Sequence, residues 1–499
     1  MRNIRLLFCI LSLNLWLPIQ ANNFSDNLIR LENDTSRVID LDEVVVISQP
    51  KEAFQLRLQP VSSSVFSQSM LKNLQIDDVQ TLSRYVPSFI MPSYGSRLTS
   101  SMYIRGIGSR VNNTAVGLYV DDMPVLNKSA FNTYLYETER VDVLRGPQGT
   151  LYGQNTAGGL VRFYSKNPLK NQGTDVRLGL ATYGQRTAEV AHYLKLNEHT
   201  GLSLAAFYNG RDGFFHNLTT GEHADKTNEA GGKLRIISQL AQTVKLDYWA
   251  EYQYTRQNSF PYGIYSNGTT ASPSTNLQGN YRRNLFNTAL NLSTKGRGFD
   301  FYSTTSFQYL ADYMFMDQDY LPENYMTLTQ RQNSRGLTQE FVVKRNSNQR
   351  WHWSMGAFGS YQWLKTNAPV GFFDAFNVML AGRIRQGLIN QMIPAFMQAR
   401  GMTYDEAKAF LEGMVQVNQI RMSDVPGVFR TPQANLALFH ESNFNITPQL
   451  VATIGLRYDL NRVSQQYETQ AGMFADMTVM HQNVSSNIST SLANKAHNR

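Results

Sequence analysis

From about Thr174 to Ser464 the chain alternates apolar and polar side chains with a period of two, in segments of roughly ten residues. In the segment 351–363, one face carries Trp351, Trp353, Met355, Ala357, Tyr361 and Trp363, while the other is mostly polar. Phe299, Phe301, Phe307 and Tyr309 alternate with Asp300, Thr304, Ser306 and Gln308. Ala452, Ile454, Leu456, Tyr458 and Leu460 alternate with Thr453, Arg457 and Asp459. Soluble β-sandwiches alternate too, but strands of this length with aromatic ends predict a transmembrane antiparallel β-barrel over residues 174–499. About eleven strands are legible, whereas a barrel with a plugged lumen has about 22. The expectation is therefore roughly half a barrel, from a fragment or a truncated gene. Residues 483–499 are polar and do not read as a closing aromatic strand.

One insertion, 365–430, interrupts the strand series and reads as helical. Thr403 and Glu406 form a capping box ahead of a helix expected over 407–420. The insertion holds Met379, Met392, Met397, Met402, Met414 and Met422. These fit the packing of small helices better than a soft-metal site, so no metal ligands are assigned.

Ahead of the strands the pattern is mixed. Residues 61–168 read as a compact α/β unit: a strand over 61–66, a helix over 69–85 ended before Pro87, a strand over 101–104, then a strand from Glu139 running into glycine-rich chain. Gly146, Gly149 and Gly153 there offer positive φ or close backbone approach. This stretch lacks the lysine and hydroxyl of a P-loop and the spacing of a dinucleotide fingerprint. Residues 22–40 are polar and without period. The segment 41–48 places Val44, Val45, Val46 and Ile47 behind Asp42 and Glu43, with Ser48 after them, so it favours a strand. It is suited either to adding to another sheet edge or to opening the next domain.

Composition sharpens this picture. The first 21 residues pair Arg2 and Arg5 with the apolar run 6–17 and end on Ala21, which reads as a secretory signal peptide. No later stretch reaches the ~18 apolar residues of a membrane helix. Cys9 is the only cysteine of the 499 residues and lies in the leader, which excludes disulfides, cysteine metal sites and thiol catalysis from the mature chain. The net charge of +8 is scattered, with no Lys/Arg block or nucleic-acid motif, so nucleic acid is not an expected partner. The charge suits an anionic ligand or interfacial contact with lipid head groups. No nucleophile, base and orienting group can be assembled, so no enzyme is expected and no cofactor is assigned.

Residues 116–124 followed by 139–159 (ERVDVLRGPQGTLYGQNTAGG) resemble the plug signature of the TonB-dependent outer-membrane receptors, most closely their iron-complex branch. The resemblance is strongest over 41–168 and weaker in the strands, where 455–459 echoes it. It implies a small α/β plug at 61–168, behind a TonB box within 22–60, inside a barrel of the Gram-negative outer membrane. Through it, Asp42, Glu43, Val44, Val45, Val46, Ile47 and Ser48 become the segment that TonB captures by strand addition. It implies that Arg105 and Arg145, with Glu139, latch the plug to barrel carboxylates, Glu189, Glu251 and Glu340 among them, with satisfaction inside the plug as the alternative. Ligand contacts are expected from apical-loop residues Tyr94, Arg97, Arg110, Lys128, Phe131 and Tyr134. The implied activity is energy-coupled uptake of a ferric siderophore. Cobalamin, haem or an oligosaccharide, or a non-transporting remnant, are the alternatives.

Overall fold

A computed structural model describes residues 50–52, 59, 61–99, 101–109, 114–153, 155–345 and 350–498. The expected signal peptide, the segment 42–48 and Arg110 lie outside the described residues.

The N-terminal unit is built on a five-stranded sheet: β1 (Ser62–Ser67), β2 (Val116–Val120), β3 (Met123–Pro124), β4 (Thr138–Arg145) and β5 (Gly159–Ser165), in the order β1-β4-β5-β2-β3. Only β2 and β5 run parallel, in the register Val116↔Gly159. Strands β2, β4 and β5 are nearly continuous in buried residues, as a sheet covered on both faces requires. The helix expected over 69–85 is two short ones, Gln68–Asn73 and Val79–Leu82. Gln75 takes φ +52° after the first, and the Asp78 carboxylate caps the second by accepting from Thr81 N–H at 2.7 Å. The strand expected over 101–104 is limited to Tyr103–Ile104. Of the three glycines singled out, Gly146 (φ +126°) and Gly153 (φ +76°) use their backbone freedom. Gly149 instead opens a helical turn, Gly149–Tyr152.

Twelve long strands follow: β6 (Gly173–Ala181), β7 (Gln185–Asn197), β8 (Thr200–Arg211), β9 (Thr227–Gln239), β10 (Val244–Asn258), β11 (Asn280–Lys295), β12 (Phe299–Asp317), β13 (Met326–Arg345), β14 (Trp351–Asn367), β15 (Gln433–Thr447), β16 (Leu450–Val479) and β17 (Gln482–Asn498). Each pairs antiparallel with the next, and three short strands bring the sheet to fifteen. Among the described residues β6 pairs only with β7 and β17 only with β16, so the sheet is open. Polar residues 482–498, not expected as a strand, form β17 because a two-residue turn at Met480 and His481, both at positive φ, folds them back on β16.

The sheet is inside-out relative to a soluble one. On β12, Thr304, Ser306 and Gln308 are buried while Phe299 and Phe307 on the other face are exposed. Leu436, Leu438, Ile454, Leu456 and Leu460 are each more than half exposed. Continuous outward apolar rows of this kind are stable against lipid. Among the described residues no helix is long and apolar enough to cross a membrane. Connections at one end are short, such as 198–199, 240–243, 296–298 and 448–449. The other end carries the long loops 212–226, 259–279, 318–325 and 368–432.

The insertion contains helices Asp374–Arg400 and Tyr404–Met414. Ile389, Ile393, Ala407, Leu411 and Val415 form its core, with Met392 and Met402 packed against it. The Thr403/Glu406 capping box is formed as expected. The second helix ends at Met414 and not at 420, because the β-branched stretch Val415–Met422 pairs as a strand with the upper half of β16.

Candidate functional site

The N-terminal unit is joined to the inner face of the sheet by buried charge. Asp121 and Asp122 occupy the two-residue turn between β2 and β3, at φ +44° and +71°. Both values are those of a type I′ turn, which Asp tolerates better than most residues. Asp121 is 3% exposed and accepts from the Ser165 N–H and Oγ, both at 2.8 Å. From β9, Lys233 Nζ reaches it at 2.6 Å and Arg235 at 3.4 Å. Arg235 in turn forms a two-bond pair with Asp247 of β10. Burial pushes the Asp121 carboxyl up, but Arg235 and Lys233 outweigh it and hold it well below the usual range. Its neighbour Asp122 has no such cation in contact among the described residues. Burial first and the Asp121 charge second raise its pKa to about 7.

A second junction lies nearer the long loops. The Arg97 guanidinium forks onto Glu229 of β9 and also pairs with Asp78 at 3.3 Å. Arg283 of β11, fully buried, donates to the carbonyls of Ser129 and Asn132. Loop 259–279 folds over the same region: Phe260 N–H donates to Gly95 O at 2.8 Å, and the Tyr262 hydroxyl donates to Tyr94 O. Leu98, Phe260, Tyr281 and Met314 form an apolar layer beneath it.

A third junction begins at Lys51, two residues beyond the last undescribed position of the N-terminal stretch. Lys51 is 4% exposed, pairs with Glu340 of β13 at 2.8 Å and lies over the rings of Tyr152 and Tyr119 at 4.4 and 5.0 Å. Glu52 accepts from Tyr152 Oη–H and from Arg162, whose other nitrogen donates to Asp142. Arg140 completes the chain on Asp142. Arg140 and Asp142 are two apart on β4 and so share a face. Gly153 admits the Arg457 guanidinium of β16, which would overlap any Cβ placed there.

Several expected residues lie elsewhere. Arg105, at φ +53° in the turn between Tyr103–Ile104 and Ile107–Gly108, is exposed beside Gly146. Arg145 is half-buried, its Nε enclosed without a hydrogen-bond partner. Among the described residues neither has a carboxylate within ion-pair distance. Glu139 is half-buried, its pKa raised by burial against the pull of Lys170, Arg235 and Lys166. Of the three carboxylates named as latch partners, Glu340 takes Lys51, Glu189 takes Arg177 and the Tyr134 hydroxyl, and Glu251 accepts from Gln253. Arg97, expected to face a ligand, is committed to Glu229 and Asp78. Phe131 and Tyr134 are 2% and 3% exposed, one in the main core and the other stacked on Phe207 at 4.4 Å. They are packing residues in this state, because apolar burial outweighs their place in a loop. Tyr94 and Lys128 remain half-exposed. The signal missed for Asp121 was its place in a type I′ turn; Lys233 and Arg235 share a face of β9 and could have been read as inward cations.

Residues 55–160 match the family model described as the TonB-dependent receptor plug domain. The N-terminal unit is therefore a TonB-dependent receptor plug. Over 131 residues the chain is 32% identical to the pesticin receptor of Yersinia pestis, covering 26% of this chain and 19% of that protein. It is 28% identical over 165 residues to the ferrioxamine receptor of Yersinia enterocolitica, covering 31% and 23%. The crystal structure of the ferric yersiniabactin uptake receptor of Yersinia pestis superposes with a TM-score of 0.62 at 16% identity, over 88% of this chain and 61% of that one. The match spans about a fifth of the curated relatives' length. The plug thus docks on the inner face of a sheet with the fold of receptor barrels.

Proposed function

We propose that this protein is an outer-membrane receptor that imports a ferric siderophore, energised by TonB acting on residues 42–48. The observation that carries this reading is a plug held by buried ion pairs against the polar face of a sheet whose other face is apolar and exposed. A lipid-spanning wall needs the second property, and a closed, releasable gate needs the first. The likeness to a ferrioxamine receptor supports an iron chelate as cargo. Half-exposed Tyr94, with Tyr262 and Tyr320 beside it in T-shaped contact at 5.2 Å, offers an aromatic floor on the long-loop side, and Lys128 a nearby cation for an anionic chelate.

The test is accumulation of radiolabelled ferric siderophores by cells carrying the full-length gene, beside a Val45→Pro variant. Proline removes a backbone donor needed for strand addition. Surface binding is expected to persist while uptake is lost. Equal uptake by both would refute coupling through this segment, and no uptake of any siderophore by the wild type would refute the cargo.

A further inference from the structure

We infer that the loop 212–226 carries a two-histidine site for a divalent transition-metal ion, formed by His216 and His223. The loop connects β8 to β9 at the long-loop end. His216 and His223 face each other across an antiparallel bridge, with ring centroids 4.1 Å apart. The flanking bonds, Asn217 N–H to Glu222 O at 2.9 Å and Ala224 N–H to Phe215 O at 2.8 Å, make this a non-hydrogen-bonded pair. In that register the two side chains project from one face at the closest spacing a hairpin allows.

The hairpin is held in place before any ligand arrives. Asn217, 1% exposed, donates to Thr275 O and Oγ1 at 2.9 Å, and its own oxygen accepts from Thr219 N–H. Asn258 donates to His223 O at 2.6 Å, and Asp225 accepts the N–H groups of Phe214 and Phe215. Ring packing alone does not account for the pair. His223 Nδ1 is enclosed and, among the described residues, has no hydrogen-bond partner, an unmet polar group that ring packing leaves uncompensated. A phenyl ring would pack there without that cost.

Neutral imidazoles are preferred ligands of Zn²⁺, Cu²⁺ and Ni²⁺. Among the described residues no third His, Cys, Asp or Glu joins the pair as a metal cluster. A two-histidine set leaves the ion's other coordination positions to water or to donor atoms of an incoming molecule.

The experiment uses the full chain, folded in detergent. Zn²⁺ is titrated by calorimetry, and Cu²⁺ is added for electron paramagnetic resonance. One saturable Zn²⁺ site is expected, weakened at least tenfold by His216→Gln or His223→Gln and unaffected by His192→Gln. The Cu²⁺ spectrum of the unsubstituted protein should show two coupled nitrogens, a readout that does not depend on how any variant folds. No saturable binding, a spectrum with one nitrogen or none, or binding indifferent to both substitutions would overturn the inference.

Discussion

Replacing Asp121 by Asn removes one charge from the centre of the plug–sheet junction while keeping its shape. Asn tolerates the φ of +44° as well as Asp does, so the turn itself is spared. The amide oxygen can retain the Ser165 N–H, but its NH₂ group cannot accept from Lys233 Nζ, now 2.6 Å away. Arg235 keeps its pair with Asp247, whereas Lys233 retains, among the described residues, the Ser165 hydroxyl and the Trp249 ring at 4.7 Å as direct contacts. Lys233 is 6% exposed, so its charge is left nearly dry. Removing one partner of a buried pair costs roughly 3–5 kcal/mol, or about two to three and a half decades in the docking equilibrium at 1.4 kcal/mol per decade. Hydrogen–deuterium exchange of the β2 and β5 amides reads this directly, and their protection should fall by that factor. In the Asp121→Asn/Lys233→Met double variant the stranded charge is gone, so at least half of the loss should return. Protection unchanged within about threefold in the single variant, or no recovery in the double, would refute the reasoning. Asp121 is held below its unfolded pKa of about 3.9, so its contribution is present above that pH and lost as pH falls further.

Other perturbations test separate parts of the fold. Asp122 binds its proton more tightly folded than unfolded, so stability should decline as pH rises from about 4 to about 7. Asp122→Asn should flatten that limb in urea titrations, and an unaltered pH profile would show that Asp122 is not its source. Leu438, 65% exposed at mid-strand on β15, should not accept a charge: Leu438→Arg is expected to cost roughly 2–4 kcal/mol of folding into phospholipid vesicles. A cost below about 1 kcal/mol would mean this face does not meet lipid. Thr403→Ala removes both the cap and half of the capping box, and should raise amide exchange in 404–414 by about fivefold, for a loss of about 1 kcal/mol.

How far the sequence discloses this arrangement follows from how local each signal is. The period-two alternation is a property of neighbouring residues, and it located the strands from 174 to 464 and the outward rows at Trp351, Leu456 and their neighbours. The capping box was legible because Thr403 and Glu406 are three residues apart. Failures came where a distant partner decided. Residues 482–498 form β17 only because β16 templates them across a two-residue turn. Arg97, Phe131 and Tyr134 lie in loops by any local measure, yet Glu229, Leu285 and Phe207, each more than 70 positions later in the chain, pack or pair with this layer and bury them. The signature 139–145 was read for Glu139 and Arg145, while Arg140 and Asp142, on the other face of the same strand, carry the buried pair.

The polarity of the junctions bears on how such a plug could be released. At Asp121 the carboxylate is on the plug and the cations are on the sheet; at Arg97 and Lys51 the signs are reversed. Every junction nonetheless pairs a carboxylate with a cation, so acid weakens all of them whichever side carries the carboxylate, whereas salt screens such buried pairs poorly. A displacement applied through the chain acts differently, because it reaches the junctions in order. Lys51 and Glu52 follow the proposed coupling segment 42–48 by only a few residues, and they hold Glu340 on the sheet and Arg162 at the plug centre. Tension there would first part Lys51 from Glu340 and then draw Glu52 from Arg162, exposing the Arg162–Asp142–Arg140 chain to water. Each separated pair gives up an interaction that solvent then partly replaces, so the junctions yield one at a time and not all together. A plug held in this way would be released by a pull on its N-terminal segment, the coupling proposed above, and not by salt.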